Sequence, residues 1–252
     1  IRNSILSLFD LAKSYGLTDY TLTSYNATLP ILYYLYHRDI YEDFATKKCY
    51  ETERESIRRW LFSILLRKTF GGQGDAVLTQ ARRAFTNDIE TELIKPLIDF
   101  PVKEINAEIK KLTDVGDDFI EELLLTQKDS RYSFPILAML YPDMDYKNNN
   151  FHQDHLHPAS TYDQLKQEHK DKFGWTVYNS ILNLQMLDSN ENMSKNATPL
   201  DIWITEQTKN KDKDRFIESH LIPKVDYSLE NFDNFIMERK KILIEKLKNI
   251  LN

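Results

Sequence analysis

The sequence predicts a mainly α-helical protein, a helical bundle of one or two domains. Glycine and proline are scarce, at 6 and 8 of 252 residues, so few residues interrupt regular helices. Leu, Ile, Lys and Glu recur at short intervals, and several segments place apolar residues at i, i+3, i+4 and i+7. With 41% hydrophobic and 12% aromatic residues, the chain has the material for a real core.

The elements follow in order. "SILSLFDLAKSYG" reads as an amphipathic helix closed by Gly16, a residue suited to a left-handed C-cap. In "TERESIRRWLFSILLRKTF", Ile57, Trp60, Leu61, Ile64 and Leu65 form one apolar stripe. "GGQGD" then breaks the chain before the helical "AVLTQARRAF", and "DDFIEELLLTQ" and "FPILAMLY" supply further helices. No internal repeat is evident. The polar "YPDMDYKNNN" predicts a boundary between a helical domain, 1–148, and a second domain, 149–252. Within the second, "STYDQLKQEHKDKFG" reads as a short surface helix or insertion ending near Gly174, and "NLQML" as a short strand. "ATPLDIWI" starts a helix, with Thr198 as cap, Pro199 in the first helical position and Asp201 in the first turn. Residues 228–251 carry Phe232, Phe235, Ile236, Ile242, Leu243, Leu247 and Ile250 at helical spacing and form a long closing helix.

Composition narrows the function classes. The lone Cys49 can form neither an internal disulfide nor a cysteine zinc cage, which points to a reducing, cytoplasmic setting. No apolar run of about 18 residues exists and no signal-peptide pattern opens the chain, so no membrane role is expected. The chain starts at Ile1 rather than Met, which is expected of a processed form or a fragment lacking an N-terminal partner domain. A formal charge of −6 argues against non-specific coating of nucleic acid, which needs many cationic contacts to phosphate. It leaves room for a nuclease whose metal neutralises the phosphate locally.

The chemistry-bearing stretch is "FHQDHLHPAS" (151–160), where half of the six histidines gather around Asp154. Asp154 and His155 are adjacent, and Pro158 turns the chain just after them. Neighbouring side chains point in different directions, so a carboxylate can hold a divalent cation while the imidazole beside it faces an attacking water. Downstream, "NLQMLDSNENMSK" carries Asn183, Asn192 and Lys195. A strand, a turn and a second polar ligand would return Asn192 to Asp154.

Taken together, D-H-x-x-P followed by N-(x)8-N-x-x-K resembles the ββα-metal, or HNH, nucleases, in the form found in RNA-guided CRISPR effectors and in GmrSD-type modification-dependent restriction enzymes. The order of "RRWLFSILLRKTFGGQGDAVLTQARRAF", "DHLHP", "NLQMLDSNENMSK" and "HLIP" is similar to the C-terminal half of the second group. The resemblance implies a small ββα-metal motif embedded in the helical bundle, with Asp154 and Asn192 as ligands of Mg²⁺ or Mn²⁺. It also implies His155 as general base, Asn183 as brace of the loop that carries the base, and Lys195 as a stabiliser of charge on the phosphate. The expected activity is DNA endonuclease, as the effector part of a prokaryotic restriction or phage-defence protein. Full-length members carry an N-terminal nucleotide-dependent domain, and no such motif occurs here. The interval from Asp154 to Asn183 exceeds that of compact HNH domains, so roughly 160–178 is an insertion, and no cysteine knuckles brace the motif.

Other features have plainer readings. His152 and His157 are either members of a second metal site or solvent-facing neighbours. His169, within "KQEHKDK", is expected on a solvated face, and His220 in packing or capping. "GGQGD" lacks both a preceding strand and the Gly-Lys-Ser/Thr of a phosphate loop, so it is an interhelical loop. Arg58, Arg59, Arg67, Lys68, Arg82 and Arg83 are expected mainly in surface ion pairs, such as those Glu55 can make with Arg58 or Arg59, with contact to DNA backbone or an acidic partner as the alternative. The tyrosines of "LPILYYLYHRDIY" are expected to pack between helices. Two rivals to a DNA endonuclease remain: a catalytically inactive helical regulatory or DNA-binding module, and a metal-dependent RNase or toxin nuclease using the same residues.

Overall fold

The computed structural model describes residues 1–88, 93–112, 115–148 and 150–251. Among them are twelve α-helices and four short strands, a mainly α fold. The chain divides into two compact units, 1–114 with 145–147, and 115–144 with 148–252. The division therefore falls near residue 115 rather than at 148. The reason is packing: the two helices after residue 115 bury their apolar faces on the C-terminal helix of the second unit.

The first unit contains α1 (Arg2–Ser14), α2 (Leu29–Arg38), α3 (Glu51–Leu66), α4 (Gly74–Arg83), β1 (Thr86–Asp88), β2 (Leu93–Ile94) and α5 (Val102–Glu108). Gly16, with φ of +73°, follows α1, a backbone region that a Cβ disfavours. The stripe of α3 is its buried face: Ile57, Trp60, Leu61, Ile64 and Leu65 are all at or below 3% exposure. Trp60 packs edge-on to Phe100, which also meets Tyr34 and Phe85, and its indole donates to Asn106 Oδ1 at 3.0 Å. Tyr34 is buried and Tyr36 exposed, as expected of tyrosines on different faces of α2. "GGQGD" connects α3 to α4, with the Lys111 ammonium donating to Gly71 O at 3.0 Å. The antiparallel pair β1–β2 has no counterpart in the sequence reading, because strands this short carry no alternating pattern.

The second unit contains α6 (Asp117–Leu124), α7 (Ser133–Leu140), β3 (Phe151–His155), α8 (Gln167–Tyr178), β4 (Leu184–Asp188), α9 (Ser189–Lys195), α10 (Leu200–Gln207), α11 (Lys213–Ser219) and α12 (Phe232–Leu251). Its core is built on α12, whose buried face runs Phe232, Phe235, Ile236, Arg239, Leu243, Leu247 and Leu251. Against it pack α6, the almost wholly buried α7, and α8. α8 is broken at Gly174, whose φ of +59° and ψ of −178° leave the helical region. Pro199 stands at the N-cap of α10 and Thr198 makes no capping hydrogen bond, because α10 begins one residue later than expected, at Leu200. No described helix is long and apolar enough to cross a membrane.

Candidate active site

β3 and β4 pair antiparallel, with Asp154 opposite Gln185 and His155 opposite Leu184. α9 follows β4 without a linker. Asp188 makes the change of direction possible: its carboxylate caps the helix, accepting from the backbone N–H of Asn190 at 2.8 Å and of Glu191 at 3.0 Å. The chain between the strands returns through a 3-10 turn, α8 and a second 3-10 turn.

Asp154 and His155 occupy successive positions of β3, so their side chains leave opposite faces. Asp154 is partly exposed, its side chain at 16%, and its Oδ2 is held on two sides. Lys195, from the last turn of α9, places Nζ 2.9 Å from that oxygen, and Gln185 donates its amide from across the sheet at 3.3 Å. The same ammonium donates to the His155 carbonyl at 2.6 Å. Lys195 is completely buried, with burial lowering its pKa and the Asp154 charge opposing that shift. The resemblance implied a Lys195 facing phosphate. The structure instead directs its ammonium inward, where it ties α9 to both residues of the D-H pair.

His155 is 5% exposed. Its ring lies near those of Trp175 and Tyr178, with centroids 6.5 and 6.4 Å away, and Nε2 is 3.0 Å from Asn179 Oδ1. Burial lowers the His155 pKa, against a raising effect of the Asn179 hydrogen bond, so the ring is neutral at pH 7. A neutral imidazole is the form that can accept a proton.

Asn183 is fully buried and clamps the chain beyond His155. Its Oδ1 accepts from His157 N–H at 3.0 Å, and its Nδ2 donates to the carbonyls of His157 and Tyr178, each at 3.0 Å. The Leu156 N–H donates to the Asn183 carbonyl at 2.8 Å, extending the strand pairing by one step.

Asn192 lies one helical turn before Lys195, so the two share a face of α9. Its side chain hydrogen-bonds to no described residue, and neither does Oδ1 of Asp154. These are two hard oxygen donors, the type that Mg²⁺ and Mn²⁺ prefer. Among the described residues, no group of three or more His, Cys, Asp or Glu side chains is placed to hold a metal.

The other histidines have distinct surroundings. His152 is exposed and pairs with the Ser189 hydroxyl at 3.2 Å, at the start of α9. His157 points into the core, edge-on to Phe232 and Phe235, and burial drives its pKa to about 3. That makes it a neutral packing residue turned away from solvent. His169 differs from expectation: it is 8% exposed and bonds Asp233 at 2.6 Å, because α8 lays this side against the start of α12. His220 packs on Trp203 and Phe216, with Nδ1 3.0 Å from Gln185 Oε1 and its pKa pushed by burial to about 4.

Sequence reasoning missed the partners that hold these groups: Asn179 on His155, Gln185 on Asp154, His220 behind Gln185, and Arg239. Arg239 donates to the Leu184 carbonyl at 2.6 Å and so anchors β4 to α12. A strand register would have exposed Gln185, since it faces Asp154 directly. No local signal marks Asn179 or Arg239.

No protein-family model matches the chain, and no curated protein matches it. The site is therefore argued from its own geometry.

Proposed function

We propose that this chain is a metal-dependent endonuclease that hydrolyses phosphodiester bonds in DNA, with the chemistry carried by the second unit. One observation supports the reading above the rest. The strand–strand–helix run β3, β4, α9 gathers a partly exposed carboxylate, a neutral imidazole and a lysine that holds both in place.

In this reading His155 accepts a proton from the attacking water. The water oxygen bonds to phosphorus, and the bond to the leaving oxygen breaks, with the electron pair departing on that oxygen. Asp154 and Asn192 are the residues that would hold Mg²⁺ or Mn²⁺, which when bound supplies positive charge to the phosphate and the leaving oxygen. Asn183 keeps the loop after His155 in position. Lys195 fixes the Asp154 carboxylate and the His155 backbone together, and acts on the substrate only through them.

The wider setting is part of the same proposal: a cytoplasmic effector of a prokaryotic restriction or defence protein, working with a nucleotide-dependent domain. The motif order in the sequence is its support.

The test is nicking of supercoiled plasmid by the purified chain with Mg²⁺ or Mn²⁺. The expected result is nicking that His155→Ala abolishes, with an unchanged circular dichroism spectrum. Activity that persists in this variant rejects His155 as base. Wild-type chain that binds DNA without cutting it favours the inactive module, and preferential cleavage of RNA in competition favours an RNase.

A further inference from the structure

We infer that Asn179 and Gln127 are positioning residues that lock His155 in the tautomer protonated at Nε2, leaving Nδ1 as the proton-accepting atom. This deepens the nuclease reading and rests on it for its catalytic meaning. The tautomer itself follows from hydrogen-bond direction alone.

The argument starts at Gln127. Its side-chain nitrogen donates to two backbone carbonyls, Thr176 O at 2.7 Å and Leu125 O at 2.9 Å. Carbonyls only accept, so the amide nitrogen is fixed on that side and Oε1 faces the other way. That oxygen takes a hydrogen bond from Asn179 Nδ2 at 3.4 Å. The Asn179 amide is thereby fixed in turn. Reversing it would set two acceptor oxygens against each other. Asn179 Oδ1 is left facing His155 Nε2 at 3.0 Å, and an acceptor there requires that Nε2 carry the hydrogen. A neutral ring protonated at Nε2 has its lone pair on Nδ1, which no described residue hydrogen-bonds.

The backbone makes the relay rigid. The Lys128 N–H donates to the Asn179 carbonyl at 2.8 Å, the Ile181 N–H donates to the Thr126 carbonyl at 3.1 Å, and Gln127 and Ser180 form an antiparallel bridge. The segment from 125 to 128 is thus stitched to 176–181. Both amides are held where their orientation is the only one compatible with every partner. The wrong tautomer would present N–H rather than a lone pair to the attacking water, and a base in that form cannot take a proton.

The experiment is a long-range ¹H–¹⁵N correlation spectrum of the imidazoles in the full chain at neutral pH, with His155 assigned by its loss in His155→Gln, alongside plasmid nicking. In the wild type, Nε2 is expected to be protonated and Nδ1 bare. Asn179→Ala should mix the tautomers and lower kcat by about tenfold to a hundredfold, with little change in KM. Gln127→Leu should mix the tautomers as well, so the lock is tested even where Asn179→Ala does not fold. A wild-type ring protonated at Nδ1, or an unchanged His155 pattern in both Asn179→Ala and Gln127→Leu, overturns the lock. If the spectra behave as expected but the wild type cuts no nucleic acid, the lock stands and the nuclease reading falls.

Discussion

The two units bury different kinds of polar group. Among the described residues of the first, the buried polar side chains are hydroxyls, such as Ser4, Ser7, Thr28 and Thr69, with Arg58 the charged member. The second buries four histidines, Asn183, Gln185, Lys195 and Arg239. Of these hydroxyls Thr28 donates to the Tyr25 carbonyl at 2.8 Å, while those of Ser4, Ser7 and Thr69 meet no hydrogen-bond partner among the described residues. A neutral hydroxyl still costs less to bury than an ammonium or guanidinium, which needs partners arranged around it. The first unit is therefore held mainly by apolar packing. The second spends part of its interior on fixing the direction of particular side chains around the β3–β4 pair. Those groups are expected to specify geometry rather than stability.

The largest effect should come from Lys195. Lys195→Met removes the cation but keeps much of the volume, leaving Asp154 and the His155 carbonyl without their shared donor. Breaking a buried pair on one side costs about 3–5 kcal/mol. Urea unfolding followed by hydrogen exchange of α12 amides should show a loss of that size in the second unit, and nicking should be lost with it. Replacing Asp154 by Leu in the same chain sharpens the comparison: stability should largely return while nicking does not. A double variant as unstable as Lys195→Met would argue that the pair stabilises the unit rather than specifying a site.

Acid should separate the units next. His157 and His220 have folded pKa values near 3 and 4, below the ordinary value of 6.5, because burial disfavours the charged ring. The unfolded chain therefore binds these protons first as pH falls. The stability they contribute is complete above pH 6.5 and is lost as pH drops from 6.5 toward 4 and 3. Between pH 7.5 and pH 5 the loss is about 2 kcal/mol per residue, from about 1.36 kcal/mol for each of the roughly 1.5 pH units below 6.5. Urea titrations at the two pH values should show it, and His157→Leu should flatten the pH dependence. An equally steep dependence in that variant would rule out His157 as a source.

A smaller change belongs to the first unit. Ile57→Val removes one methyl from a side chain with no exposed surface, and should cost about 0.5–1.5 kcal/mol in urea unfolding. Plasmid nicking should be unaltered at temperatures where both units are folded. A large loss of nicking from this substitution would mean that the chemistry is not confined to the second unit.

These effects differ in how far the sequence announces them. The α3 stripe is legible because 3.6-residue periodicity is local, and so are Gly16 and Gly174, whose positive φ fits breaks the sequence already marks. Asp154 and His155 stand out because two chemically active residues precede a proline. Their partners do not stand out. Gln185 meets Asp154 only through strand register, Asn179 meets His155 across 24 residues, and Arg239 sits in a helical stripe where an apolar residue would be expected. His169 was hidden for the opposite reason: its neighbours in sequence are charged, but the helix turns this one residue toward α12. The boundary near 115 was hidden as well, since it depends on what α6 and α7 pack against and not on the polarity of 141–150.

The smallest effect completes the comparison, because it involves the same chemistry as the largest. Glu55 pairs with Arg59 at 3.2 Å and with Arg58 at 3.3 Å along α3. The Arg59 side chain is 62% exposed, so water screens its charge and little is lost when the partner is removed. Arg59→Ala should shift the urea midpoint of the first unit by no more than about 0.5 kcal/mol, and less in 0.5 M salt. The Lys195–Asp154 pair spans a similar distance, 2.9 Å, with the lysine at no exposure. If Arg59→Ala costs as much as Lys195→Met, burial is not what separates the two pairs, and the argument that the second unit pays in stability for direction fails. If the costs differ roughly tenfold, the surroundings rather than the charges decide what an ion pair does in this chain.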